Sequence, residues 1–282
     1  MTARVATVQF TTEPGQAAEN RIRSLEQIEQ AAQAGAQVIV LPELSVSGYT
    51  VDAVRLRAAA EPLNGETMAA WSEAASRLGV VIVGGFCERF GESLFNAAIM
   101  VGPRGPLLHY RKLHLFDGEK RVFTPGDLTL RPVDTPFGRI GVCVCYDLRF
   151  VEVMRALALQ DADLIAVPTA WVAGFDKAPR DGDGLIGQAR GAIVQANLNQ
   201  VYVACASQGG RTSDVHFLGS SLFADPYGRI LAGPMPEADQ GILIADMDLA
   251  FVQQARQRSE LIRPRVDRRT DIYGLSVAGQ TF

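Results

Sequence analysis

Two rhythms of apolar and polar positions alternate along the chain. Short runs rich in Val, Ile and Leu, with the period of a pleated strand or wholly apolar, lie near 5–10, 36–41, 80–86, 94–101, 107–111, 139–145, 163–168, 201–206, 219–224, 229–232 and 241–247. Between them fall stretches with helical spacing. Residues Ala17 to Ala34 carry Ala18, Ile22, Leu25, Ile28 and Ala32 on one face and end at Gly35. A second helix runs from about Glu66 to Leu78, with Met68, Trp71, Ala75 and Leu78 aligned and Gly79 as its stop. A third follows Cys145, and a fourth spans about Leu185 to Asn199 with Ile186, Ala189, Ile193 and Ala196 in line. The segment after Asp248 starts helix-like and becomes rich in Arg and Pro.

Strands outnumber helices, and hairpin pairs such as 94–101 with 107–111 sit among strand–helix alternations. That mixture predicts an α/β fold with two sheets between two helix layers, a four-layer α-β-β-α sandwich. With no linker, repeat or low-complexity segment, residues 1–282 read as one domain, and 282 residues at 48% hydrophobic and 21% charged content can bury a large core. A net charge of −4, with basic residues scattered among acids, speaks against nucleic acid. The apolar runs are too short for a membrane span and the N-terminus lacks a signal-peptide core, so a cytoplasmic protein is expected. Cys87, Cys143, Cys145 and Cys205 read as reduced thiols. Cys143 and Cys145 lack the spaced His or Cys partners a zinc site needs, and no metal is expected.

One cysteine stands apart. In Gly141-Val142-Cys143-Val144-Cys145-Tyr146-Asp147-Leu148-Arg149-Phe150 an apolar strand runs into Cys145 and then into a helix-like segment, whose backbone N–H groups are ready donors for a developing negative charge. Leu41-Pro42-Glu43-Leu44 places a carboxylate just past another apolar run, and Tyr110-Arg111-Lys112-Leu113-His114 places an ammonium just past a third. The ordered trio Glu43, Lys112, Cys145 resembles the carbon–nitrogen hydrolase (nitrilase) superfamily, whose members cleave non-peptide C–N bonds. Gly84-Gly85, Phe95-Asn96-Ala97-Ala98, Thr124-Pro125-Gly126-Asp127, Gly219-Ser220-Ser221, Asp225-Pro226-Tyr227-Gly228 and Arg268-Arg269-Thr270-Asp271-Ile272-Tyr273 extend the resemblance over nearly the whole chain.

The resemblance implies the same four-layer sandwich and a cofactor-free mechanism. Cys145 would be the nucleophile, Glu43 the proton carrier, and Lys112 with the Tyr146 N–H the stabiliser of the oxyanion. Glu119, six residues before Pro125, matches a second glutamate that related sequences carry, expected to orient Lys112 and help hold the attacking water. Tyr49, Phe116, Ala170 and Trp171 are candidate substrate contacts. Cys87, Cys143 and Cys205 read as inert core residues, and His114 as a structural hydrogen-bonding residue with no partner evident in the sequence.

Where many relatives have Arg-Ala-x-Glu-Asn, this chain has Gln195-Ala196-Asn197-Leu198-Asn199, so a charge pair is expected to be missing. The polar stretch from Val172 to Gly184 suits a mobile loop over the pocket, and its three aspartates suit either a cationic substrate or mere solubility, with solubility favoured. Cys145-Tyr146-Asp147 resembles the amidase-like branches, whereas nitrile-cleaving members have Trp and Glu after the cysteine. The leading expectation is therefore hydrolysis of a small carboxamide through a thioester. A nitrilase or carbamoylase with the same machinery is the second reading, and a catalytically silent binding protein the third. Phe150, Val151, Val153, Met154 and Leu157 look apolar enough to pack on a second copy, which predicts at least a homodimer. In the family the C-terminal tail often crosses to that copy.

Overall fold

The structure, a computed structural model, describes residues 1–177 and 180–282. Two six-stranded sheets form its centre. The first is built from β1 (Thr2–Gln9), β2 (Val38–Val40), β3 (Val81–Phe90), β4 (Ser93–Gly102) and β5 (Gly105–Arg111), with β12 (Gly241–Asp248) antiparallel to β1 at one edge. The second contains β6 (Val133–Thr135), β7 (Gly138–Val142), β8 (Leu164–Thr169), β9 (Tyr202–Ser207), β10 (Leu222–Ala224) and β11 (Ile230–Ala232), in the order β11-β10-β9-β8-β7-β6. Parallel pairs sit centrally in both sheets, β1-β2-β3 in one and β7-β8-β9 in the other. The expected β4–β5 hairpin forms, closing at Gly102 opposite Gly105.

Period-2 alternation assigns each face. Val38, Val40, Val81 and Val83 join the cluster between the sheets, while Ile39 and Ile82 point to the outer side with Ile28, Trp71 and Ala75. Helices α1 (Ala17–Gln33) and α3 (Glu66–Leu78) cover that outer side of the first sheet, flanking a short α2 (Ala53–Ala59). Helices α4 (Val151–Leu159) and α5 (Gly187–Asn199) cover the second sheet through Met154, Leu157, Ala189, Ala192 and Ala196. The result is the α-β-β-α sandwich expected from the sequence. Beyond it, α6 (Leu249–Arg256) leads into a tail that ends in the small hairpin of β13 (Ser276–Val277) and β14 (Gln280–Thr281). No helix among the described residues is long and apolar enough to cross a membrane.

Some local expectations are corrected. On α1 the buried positions are Asn20, Ser24, Ile28 and Ala31, while Ile22 is exposed. Polar residues face inward there because they have partners. The Asn20 amide donates to the Glu13 and Val46 carbonyls and accepts from the Glu13 N–H, and the Ser24 hydroxyl accepts from the Trp71 indole. Helix α2 carries no long apolar period and is set instead by Asp52, which accepts from the Val54 and Arg55 N–H groups at its start. On α4, Val153, Met154 and Leu157 are buried in the chain's own core, leaving Val151 exposed and Phe150 half-buried. Three of the five residues expected to meet a second copy are thus already used by the sheet beneath them.

Strand ends are where this fold positions chemistry. A Cβ at Gly85 of β3 would lie 2.5 Å from the Leu44 nitrogen and 2.9 Å from the Glu43 Cα, so only glycine lets the turn carrying Glu43 press on that strand. A Cβ at Gly126 would lie 2.1 Å from the Arg111 carbonyl oxygen, and the Gly126 N–H donates to the Lys112 carbonyl at 2.8 Å. These close approaches explain the Gly84-Gly85 and Thr124-Pro125-Gly126-Asp127 segments.

Beside Lys112, Arg111 is gripped by Glu88 of β3, with N···O distances of 2.8 and 2.6 Å, and by Asp127 at 2.9 Å, its guanidinium lying 3.8 Å from the Phe95 ring centroid. His109 contacts the same carboxylate at 2.8 Å. Burial alone would raise the Glu88 carboxyl, but Arg111 and His109 outweigh it and hold it down to about 2. A lowered acid stabilises the fold fully above its ordinary value of 4.5, and that stability is lost as the pH falls through the lowered one. Glu88→Gln is therefore expected to lower the melting temperature most near neutral pH, with the difference shrinking on acidification below pH 4.5 towards about 2. Thermal melts of both proteins across that range check it, and a difference independent of pH would refute it.

Candidate active site

Three charged side chains with no solvent exposure meet between the sheets. Glu43 follows β2 and Lys112 follows β5, while Glu119 lies in a 3-10 turn, Asp117–Arg121. The Lys112 ammonium donates to Glu43 Oε1 at 2.6 Å and to Glu119 Oε1 at 2.9 Å. An ammonium has three donors, so one remains for other work. Glu119 Oε1 also accepts from the Tyr49 hydroxyl at 2.9 Å, and its Oε2 accepts from the Phe116 N–H at 3.0 Å. Glu43 Oε1 takes a second donor, the Asn96 amide, at 2.7 Å. Its other oxygen, Oε2, is buried with no hydrogen-bond partner among the described residues. Two donors pinning one oxygen leave the second free to exchange a proton.

Electrostatics follow from that arrangement. Burial raises the Glu43 carboxyl and Glu119 adds to the rise, with Lys112 opposing both. For Lys112 burial works downward, but the charges of Glu119, Glu43 and Cys145 prevail and its pKa is raised, so it stays an ammonium. Burial, then the Glu43 charge, push the Cys145 thiol well up against the pull of Lys112 and the Ala170 N–H. Burial thus favours the protonated form of both Glu43 and Cys145, and the Lys112 charge opposes it at each. The Glu43 backbone is fixed as well, its N–H donating to the Thr169 carbonyl at 3.2 Å and its carbonyl accepting from the Gln208 amide at 2.9 Å.

Strand β7 ends at Val142, and Cys145 opens a 3-10 turn, Cys145–Arg149, before α4 begins. Cys145 has φ of 46°, in the left-handed region, and Leu44 beside Glu43 has φ of 48°. Such conformations cost roughly 1–3 kcal/mol each in non-glycine residues and gather where function demands them. Tyr146 lies in the first turn, where N–H groups lack intrahelical acceptors. Cys87, Cys143 and Cys205 are buried, whereas Cys145 keeps part of its surface open.

That surface opens on a cavity of about 360 Å³ whose walls include Phe116, Tyr146, Ala170, Trp171 and Phe175. Phe116 packs edge-on against both Tyr146 and Phe175. Of the four residues expected to touch substrate, Phe116, Ala170 and Trp171 line this cavity. Tyr49 does not. It is buried behind Glu119, packed edge-on against Phe217 at 6.1 Å, and its hydroxyl is committed to the carboxylate.

Polar groups at the cavity wall went unassigned in the sequence. Arg149 lies 3.6 Å from Asp176, whose other oxygen accepts from the Gln188 amide at 3.1 Å. Of the three aspartates in the segment after Trp171, Asp176 alone lines the cavity, while Asp181 and Asp183 pair with Arg190. Ala178 and Pro179 of that segment lie outside the described residues. Near Gln195, where a charge pair is expected to be missing, neutral amides bond to each other, Asn199 donating to the Gln195 carbonyl at 2.9 Å and to its side-chain oxygen at 2.8 Å. Asn96 and Gln208 also escaped notice as functional groups, since a neutral amide in or just past an apolar strand carries no chemical signal of its own. His114 does have an acid partner, Asp147, 2.8 Å from its ring Nδ1.

Comparison with known proteins agrees with this geometry. A family model described as carbon-nitrogen hydrolase matches residues 4–257. A protein named nitrilase from Pyrococcus abyssi is 36% identical over 255 residues, covering 90% of this chain and 92% of that one. Omega-amidase NIT2 from Xenopus tropicalis is 31% identical over 285 residues, covering 96% and 97%. The crystal structure of Saccharomyces cerevisiae Nit3, a member of branch 10 of the nitrilase superfamily, superposes with a TM-score of 0.80 at 27% identity, covering 94% and 96%. Sequence, fold and the trio at the strand ends lead to one assignment: the chain belongs to the carbon–nitrogen hydrolase family and is an enzyme of that class.

Proposed function

We propose that this enzyme hydrolyses a small carboxamide to a carboxylate and ammonia through a thioester on Cys145. The observation that carries the reading is the buried Glu43–Lys112–Glu119 array with one free carboxylate oxygen, beside a thiol that opens on an aromatic cavity. Glu43 takes the thiol proton as sulfur attacks the amide carbon, and the carbonyl electron pair moves onto oxygen. Lys112 and the Tyr146 N–H meet that oxyanion. On collapse the C–N bond breaks and the proton on Glu43 goes to nitrogen, releasing ammonia. Water, losing a proton to Glu43, then attacks the thioester, and the sulfur leaves and recovers its proton. Glu119 acts through Lys112. Its contacts with Tyr49 and the Phe116 N–H hold it where it keeps the ammonium charged and aimed.

A relative named omega-amidase supports the amide, and one named nitrilase supports a second reading, attack on a nitrile. An amide nitrogen gains one proton before the thioester forms, whereas a nitrile nitrogen must gain three and a water must add to the thioimidate on the way. Glu43 offers a single free oxygen for that traffic, which favours the amide. For a matched amide and nitrile, kcat/KM is expected to be at least about tenfold higher for the amide, a barrier difference of about 1.4 kcal/mol. Ammonia release from both substrates, on one preparation and with Cys145→Ala as the inactive control, decides it. A preference for the nitrile would move the enzyme to the second reading.

Glu119→Gln is expected to lower kcat at least about tenfold while leaving the melting curve cooperative, because a neutral amide cannot hold the ammonium by charge. Steady-state kinetics check this. Activity within about twofold of the parent would refute the role.

We also propose a homodimer formed through the outer faces of α4 and α5. Val151, Val194 and Leu198 expose 56%, 46% and 50% of their surface there and line the cavity mouth, so a second copy seated on them would wall the substrate from solvent. The tail, with Leu261, Ile262, Val266 and Ile272 exposed, offers further apolar surface to that copy. Light scattering is expected to give twice the chain mass at micromolar concentration, and Val194→Glu with Leu198→Glu to give the monomer. A parent that stays monomeric would refute it.

A further inference from the structure

Cys145 keeps its left-handed backbone only if its surroundings leave it no alternative. Those surroundings converge on one carboxylate. Asp147, two residues further on and with no exposed surface, accepts the Val144 N–H at 3.0 Å and the Tyr110 hydroxyl at 2.7 Å on Oδ2. On Oδ1 it accepts the His114 N–H at 2.9 Å, and the His114 ring Nδ1 lies 2.8 Å away. Because a carboxylate only accepts, the ring nitrogen facing it carries its hydrogen. Four donors fill the roughly four lone-pair positions of the group. Asp147 is not among the cavity-lining residues, so it has neither the free oxygen nor the access to act on substrate.

What distinguishes this carboxylate is where its arms lead. Val144 immediately precedes the nucleophile. Tyr110 stands two residues before Lys112 and His114 two residues after it, so the one group straps the lysine segment on both flanks to the turn that carries Cys145. Phe150, at the end of that turn, stacks on the His114 ring with centroids 3.5 Å apart and planes 12° from parallel. Burial and the Asp147 charge raise the Tyr110 hydroxyl well up, which keeps it a donor. We infer that Asp147 is a positioning residue, which sets the spacing between the Lys112 ammonium and the Cys145 sulfur through Tyr110 and His114.

The inference rests on the Cys145 thioester reading, and it has a readout that does not need the substrate. Tyr110→Phe and His114→Ala each remove one donor, while His114→Asn retains an N–H near the position of the ring nitrogen. The first two are expected to lower kcat at least about tenfold with KM within about twofold, since misplaced reacting groups lose rate without losing ground-state binding. Alkylation of Cys145 by iodoacetamide, followed by the mass of its peptide, should slow in parallel as the thiol loses its alignment with Glu43 and Lys112. His114→Asn should recover to within about threefold of the parent in both measurements. Asp147→Asn is expected to show the largest loss. Where it does not fold, the Tyr110 and His114 variants decide. Kinetics and alkylation within twofold of the parent in both first variants, a loss confined to KM, or a His114→Ala defect that His114→Asn does not relieve would each overturn the inference. A parent that alkylates at Cys145 but hydrolyses neither amide nor nitrile would refute the thioester reading alone, and the alkylation rates would still decide the role of Asp147.

Discussion

Burying the ammonium of Lys112 is the constraint on which the rest of the site depends. A lone ammonium with no exposed surface would carry a penalty of several kcal/mol, and the carboxylates of Glu43 and Glu119, at 2.6 and 2.9 Å, are what make its burial possible. Those carboxylates are themselves buried and need donors. Asn96 supplies one to Glu43, and Tyr49 and the Phe116 N–H supply two to Glu119. Each charge thus recruits polar groups from neighbouring elements, and β2, β4, β5 and the 3-10 turn at Asp117–Arg121 are bound at one point. Removing one member of such a group leaves another charge buried without its partner, which costs more than the pair contributes while intact.

The backbone is shaped to bring these charges together. Gly85 and Gly126 lie where a methyl group would strike the turn before Leu44 or the carbonyl of Arg111, and Leu44 and Cys145 adopt left-handed conformations at the strand ends. One sheet supplies Glu43 and Lys112, the other supplies Cys145, and the sulfur sits where the two meet. Because the sheets pack through Val38, Val40, Val142 and Val144, the relative placement of Cys145 and Glu43 is a property of the core between them.

Much of this was legible in the sequence, for identifiable reasons. Singly, a glutamate or lysine after an apolar run is ordinary, but the ordered set of Glu43, Lys112 and Cys145 at three strand ends could be read together, and Glu119 followed from the resemblance. The two-sheet sandwich followed from the excess of short strands. Residues that act by hydrogen bonding were not legible. Asn96, Gln208 and the partner of His114 are polar residues whose roles depend on contacts between distant segments, 53, 165 and 33 residues apart in sequence. The inward face of α1 was misread for the same cause, since Asn20 and Ser24 are buried by satisfied hydrogen bonds rather than by hydrophobicity. The apolar face of α4 was legible as apolar, yet periodicity alone cannot say whether a stripe meets its own sheet or another chain.

Charge balance links the buried array to the kind of substrate it suits. In the mechanism we propose, moving a proton from the Cys145 thiol to an ionised Glu43 would exchange one anion for another, so the array of Glu43, Lys112, Glu119 and Cys145 would keep the same net charge. Among buried charges an activation that creates no additional charge is the least costly one available. In that proposed route the oxygen that takes the proton is also the one that would return it to the leaving nitrogen. The uncharged amide we propose as substrate would enter without altering that balance, and the new negative charge would arise only on its carbonyl oxygen, where the third N–H of Lys112 is unspent. A substrate with a charge close to the scissile bond would upset that balance within a low-dielectric site, whereas one carried at the far end would reach Arg149 and Asp176, which already neutralise each other in part at the cavity wall.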